Sequence, residues 1–197
     1  MLLRRNVTMA LCILLASVVL SACTPTTDSS TRVSADQFWT GFNVVSAAEV
    51  DPAASLDDLV SRSTLIVRGS IADLTEGPSD LYKLEEGDVS KPSTILTIDV
   101  SKVVAGTVGD EVRIWLSQEN PSISRIEALP STEFLWFLRP SDTLDLFHTT
   151  TLAGVVGVDS MGALVTFRDR SAGETIIPQG VRELSQLEAL VAERAAQ

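Results

Sequence analysis

Glu133-Phe134-Leu135-Trp136-Phe137-Leu138, with Pro130 before it and Pro140 closing it, is the stretch on which the fold turns. A strand sends successive side chains to opposite faces, so a run that is apolar at every position must be covered on both. The stretch is therefore predicted to be a central strand. The segments upstream behave differently. Leu65-Ile66-Val67-Arg68-Gly69-Ser70-Ile71 is rich in β-branched residues, and Thr94 to Val104 alternates, with Leu96, Ile98 and Val100 on one face and Thr97, Asp99 and Ser101 on the other. Glu111 to Leu116 alternates again: Val112, Ile114 and Leu116 face one way and Trp115 the other. These segments predict strands with one buried face. Downstream, 150–158 and 162–167 predict a hairpin that turns at Asp159-Ser160-Met161-Gly162. Glu76 to Pro92 contains Gly77-Pro78, Gly87 and Pro92, and is predicted to be an exposed acidic loop.

Helical spacing flanks the strands. Ser55 is placed to cap Leu56-Asp57-Asp58-Leu59-Val60, with Asp58 at the third position, where a carboxylate favours a helix N-terminus. At the C-terminus Leu184, Leu187 and Val191 fall at i, i+3 and i+7 with Leu190 alongside, while Glu183, Glu188 and Glu193 take other faces. This amphipathic helix is expected to pack on the sheet. Phe38, Trp39 and Phe42, ahead of the Ser55 helix, are expected to pack on the domain and tie down its N-terminal arm.

The first residues carry an address. Arg4 and Arg5 precede an apolar run from Val7 to Leu20 that is too short to span a membrane as a stable helix, and Leu20-Ser21-Ala22-Cys23 follows. Residues 1–22 are expected to be a signal peptide. Residues 23–36 then comprise Cys23 and a Thr/Ser-rich tether, 37–54 the aromatic-containing arm, and 55–197 the β domain with its terminal helix. The tether, Thr24 to Ser34, is about a dozen residues and reaches at most about 40 Å when fully extended.

Composition excludes several functions. The chain has 197 residues, 15 basic against 26 acidic, and a formal charge of -11. Such a surface repels phosphate backbones, so no nucleic-acid partner is expected. Removal of residues 1–22 takes Arg4, Arg5 and Cys12 with it and moves the side-chain charge to -13. Cys23 is then the sole thiol, which leaves no internal disulfide or redox pair. One His and two Cys are too few for a Cys/His zinc site.

Leu20-Ser21-Ala22-Cys23 resembles the lipobox of bacterial lipoproteins. The resemblance implies a diacylglyceryl group on Cys23, with palmitate among its acyl chains, and hence an exported protein anchored to the bacterial cell membrane. Two acyl chains provide the stable anchoring that one does not. The order of Leu65–Gly69, Leu96–Gly106, Val108-Gly109-Asp110 and Phe134–Pro140 resembles a group of exported bacterial domains of unknown function. These are similar to small OB-like Greek-key barrels, including the netrin-like module of metalloproteinase inhibitors. The implied fold is mainly β (α+β): a small OB-like barrel with a short N-terminal helix and a C-terminal amphipathic helix. Those inhibitors chelate zinc through an N-terminal Cys. Here the lipid and the tether remove Cys23 from that role, so binding is expected at loops or at the open face of the barrel.

No cofactor, metal ligand set or catalytic residue is selected by motif. Gly-x-Ser-x-Gly, phosphate-cradling Gly loops and the calcium-loop spacing are missing, although Asp73, Glu76, Asp80, Glu85, Glu86 and Asp88 are clustered in sequence. His148 is the one imidazole, and Ser141, Asp142 and Asp145 lie near it. The leading expectation is a non-catalytic envelope module that binds an envelope component or a protein partner. The alternative is a hydrolase or metal-dependent enzyme that uses His148 with Asp142 or Asp145.

Overall fold

The computed structural model describes residues 33–42, 51–84, 87–116, 128–142, 144–168 and 176–197, and of 79–84 and 87–92 the backbone alone. The residues expected to form a signal peptide, Cys23 and most of the expected tether lie outside the described residues, as does the polar stretch around Glu119-Asn120-Pro121. Among the described residues are three helices, α1 (Ala35–Gly41), α2 (Leu56–Arg62) and α3 (Leu184–Ala195). The strands are β1 (Leu65–Leu84), β2 (Gly87–Ala105), β3 (Glu111–Leu116), β4 (Glu133–Pro140), β5 (Phe147–Thr149), β6 (Val155–Val158) and β7 (Leu164–Thr166).

Five of these strands close a barrel. The order β1-β2-β3-β5-β4 returns to its start because β4 also pairs with β1, from Leu65↔Leu138 to Ser70↔Glu133. The β3–β5 pair is parallel and the others are antiparallel. The fold is mainly β, an OB-like barrel with helices at its flanks. The other edge of β4 is shared: Leu138 to Pro140 pair with β5, while Leu135 and Trp136 pair with β6, which carries β7.

The alternation expected from the sequence holds around the ring. Leu65, Val67, Leu96, Ile98, Val112, Ile114, Leu116, Phe134, Trp136 and Leu138 form the interior core. Phe134 to Leu138 are all fully buried, because the outward Leu135 and Phe137 join a second core with Ile66, Val156, Leu56, Leu59, Leu187 and Val191. Thus β4 is covered on both faces, by the barrel interior and by α2 and α3. Asp159 sets the β6–β7 turn: its Oδ1 accepts from the Met161 and Ala163 amides at 2.9 and 2.8 Å, and Gly162 takes φ +83°.

Three expectations need correction. The segment 76–92 is no loop, since β1 and β2 run on as a two-stranded ribbon to Leu84↔Gly87. The breakers are accommodated in a register shift. Pairing passes from Gly77↔Ser93 to Asp80↔Lys91, so Pro78 and Pro92 both sit where the ladder is interrupted and no amide donor is required. Next, Phe38 and Trp39 lie on a helix, with Phe42 as its C-terminal cap, and do not precede the first one. Ser34 and Gln37 form a reciprocal capping box, in which Ser34 Oγ accepts from the Gln37 amide at 3.2 Å and Gln37 Oε1 accepts from the Ser34 amide at 3.0 Å.

Finally, Glu188 is not on an open face but is only 6% exposed. It occupies i+4 of the stripe that begins at Leu184, and Lys102 donates to its Oε1 while Arg68 donates to its Oε2 at 3.3 Å. Burial alone would raise its carboxyl, but these hydrogen bonds outweigh burial and hold it below the ordinary range.

α1 plugs the barrel. Trp39 lies 5.2 Å from the Phe38 and Phe42 rings, 6.1 Å from Phe134 and 6.2 Å from both Trp136 and Phe167. Edge-to-face and tilted contacts of this kind add to the area each ring buries. Trp39→Ala is expected to lower unfolding free energy by about 3–5 kcal/mol in urea titration, while Met161→Ala, at a residue 87% exposed, stays within about 0.5 kcal/mol. A Trp39→Ala cost below about 1 kcal/mol would show that α1 is not part of the core.

Candidate functional site

The interior core leaves the outside of the barrel to present chemistry, and one concavity there collects polar groups. It is a cleft of about 180 Å³ where β3, β4 and β5 meet the chain leaving β7. Trp115 enters from β3 as the one residue in Val112–Leu116 that is both aromatic and turned outward. Arg139 and His148 are set opposite each other by the β4–β5 register. Thr149 ends β5, the chain after it supplies Thr150, Thr151 and Leu152, and Arg168 completes the wall.

Local hydrogen bonds fix most of these groups. The Thr150 amide donates to the Phe137 carbonyl at 2.8 Å, and the Thr150 and Ser63 hydroxyls share a hydrogen bond at 2.8 Å, which ties the turn to the end of α2. The Arg168 guanidinium donates to the Thr149 hydroxyl. Thr151 is only 3% exposed, and neither its hydroxyl nor the buried indole N–H of Trp115 has a hydrogen-bond partner among the described residues. A buried polar group without a partner is unusual and calls for a ligand or a water.

His148 is half-buried and its pKa lies below the ordinary imidazole value. Burial is the chief cause and the nearby Arg139 adds to it; the Asp142 carboxylate and the Pro140 carbonyl oppose the shift, and Arg168 reinforces it. The imidazole is thus held neutral in a cationic setting.

The residues singled out from sequence are only partly brought together. Asp142 acts on His148 electrostatically, but it is exposed, and Asp145 is exposed as well. Ser141 shapes the turn between β4 and β5, its hydroxyl accepting from the Leu144 amide at 3.3 Å. Among the described residues no three His, Cys, Asp or Glu side chains converge as a metal site would require. Asp73 and Glu76 are exposed on β1; the side chains of Asp80, Glu85, Glu86 and Asp88, like Cys23, lie outside the described residues.

Sequence reasoning missed Arg139, Thr151 and Arg168, which are distant along the chain and gathered only by closure of the ring. Trp115 did carry a signal, a large aromatic on the outward face of an alternating strand. Neither a scan against protein-family models nor a search of the curated proteins returns a match to this chain.

The lowered His148 value has a consequence for stability. At pH values between the folded and the ordinary imidazole pKa, the unfolded chain binds a proton that the folded chain refuses. The folded state therefore loses stability as pH falls through the ordinary value of 6.5 toward the folded one. Glu188 titrates below its ordinary 4.5 and does not interfere in this window. Urea unfolding at about pH 7 and about pH 5 should show a larger loss for the native sequence than for His148→Gln. Equal losses would mean that the imidazole takes up its proton freely in the fold.

Proposed function

We propose that the chain is an exported lipoprotein whose barrel is a non-catalytic binding module, held to the bacterial cell membrane by lipid on Cys23 and engaging an envelope component or a protein partner through its outer surface. The observation that carries the anchor is Leu20-Ser21-Ala22-Cys23 placed directly behind an apolar run and a basic start. The fold supports the binding half of the reading. The interior is occupied by the chain's own side chains, so recognition must use loops and clefts on the outside. The Thr/Ser-rich composition from Thr24 to Ser34 supports a tether between Cys23 and the barrel. Such a tether lets the module stand off the surface that holds it.

The anchor is tested by Cys23→Ala. The variant should leave the membrane fraction and lack lipid mass, and retention there of a native chain with no lipid on Cys23 would defeat the proposal. Binding is tested separately by crosslinking on intact cells. A reproducible partner, lost when the barrel is destabilised through Trp39→Ala, is expected; repeated empty recoveries of well-expressed protein would count against a binding role.

A further inference from the structure

We propose that the cleft between Arg139, His148 and Arg168 is an oxyanion site that takes a phosphate or carboxylate group presented by the barrel's ligand; the proposal rests on the reading of the barrel as a binding module. The chain has 15 basic residues against 26 acidic ones, yet two of its arginines meet its one histidine here. Arg139 is exposed at the mouth; buried in the wall are the Trp115 indole N–H, a donor only, and the Thr151 hydroxyl, on a residue 3% exposed, which can donate or accept.

A sugar or a peptide edge presents donors as well as acceptors, and a metal ion requires acceptors. A cleft whose wall carries two arginines beside a histidine fits a compact anionic group that accepts hydrogen bonds.

The frame is set before any ligand arrives. Arg168 is held on the Thr149 hydroxyl, Thr150 is held on Ser63, and Arg139 is placed across from His148 by strand pairing. Arg168, held in this way, loses little freedom on binding. The volume of about 180 Å³ admits one phosphate or carboxylate with its attachment. The groups facing His148 are Arg139 from β4, Arg168 after β7, the Asp142 carboxylate from the β4–β5 turn and the Pro140 carbonyl. A bound oxyanion would add negative charge to this set and favour the imidazolium. By linkage, binding tightens as pH falls through the His148 titration.

His148 is the only histidine, so in the untagged full chain, purified in detergent, its ring signals report one site. The ring is titrated by NMR in chloride, acetate and inorganic phosphate at matched ionic strength. The expected result is a saturable upward shift of the His148 titration by about one unit in phosphate or acetate over chloride. The larger response identifies a phosphoryl or a carboxylate group. Arg139→Gln alters an exposed side chain and Thr151→Val keeps the volume, and each is expected to weaken anion binding about tenfold. Equal titrations in all three salts, with the orphaned donors served by water alone, would overturn the site. So would unchanged binding in both variants, which would place the anion elsewhere. The readout needs neither lipid nor partner. A crosslinked partner with no anion effect leaves the module reading intact and removes this one, and an anion effect with no partner does the reverse.

Discussion

Everything in this molecule depends on the pairing of β4 with β1 that closes the ring. Over Leu65 to Ser70 and Glu133 to Leu138 the two strands exchange their ladder, and every inward residue is thereby committed to a closed interior. A five-stranded barrel is narrow, so its interior must be filled by side chains, and the fit extends to the backbone. The Trp136 indole donates to the Gly69 carbonyl at 3.1 Å, in a bulge where β1 approaches β2 so closely that a Cβ on Gly69 would stand 2.3 Å from the Asp99 carbonyl oxygen. Gly157 is constrained from the other side. A Cβ there would lie 2.7 Å from the Phe134 ring and 2.9 Å from that of Phe167. Either contact is shorter than atoms tolerate, so the aromatic filling and the small residues specify one another.

Closure also creates the second core. Once Phe134, Trp136 and Leu138 point inward, Leu135 and Phe137 must point outward, and they would be exposed if α2 and α3 did not cover them. The helices thus answer a need that the central strand sets. Where α3 meets β1 and β2, the Glu188 carboxylate would be costly to bury alone, and Arg68 and Lys102 meet it. Arg68 also pairs with Glu133 at the start of β4, so this ion cluster spans the closing strands and the helix laid across them. Its partners are partly solvated, which makes it a device for alignment more than a large source of stability.

The parts of the fold legible in the sequence are those governed by local period. The two-sided run 133–138, the alternation in 94–104 and 111–116, the Ser55 cap and the Asp159 turn each state their geometry within a few residues. What was not legible depended on distant partners. Pro78 and Pro92 marked breaks, and only the register of two paired strands reveals that both fall in the same irregularity. β5, three residues long, exists because β3 and β4 leave a gap between them. Glu188 looked solvated because its cations lie 120 and 86 residues away along the chain. The α1 helix was an oversight of a different sort, since Ser34-Ala35-Asp36-Gln37 carries a capping-box pattern that local reading can find. The cleft was the least legible feature. It joins residues from four separate segments that meet only in the folded sheet.

The charge of the chain bears on what such a cleft can recognise. At -11 the far field opposes any anion, but at physiological ionic strength it is screened beyond about 8 Å. Arg139 at the mouth and Arg168 in the wall act at shorter range, where Coulomb attraction is less screened. A polyanion lying along a surface of this net charge would meet mostly repulsion. A single charged group carried on an otherwise neutral molecule would meet that repulsion only weakly and could reach the donors in the cleft. Two arginines in one concavity suit a single oxyanion, and the acidic balance of the chain disfavours ligands that carry many negative charges.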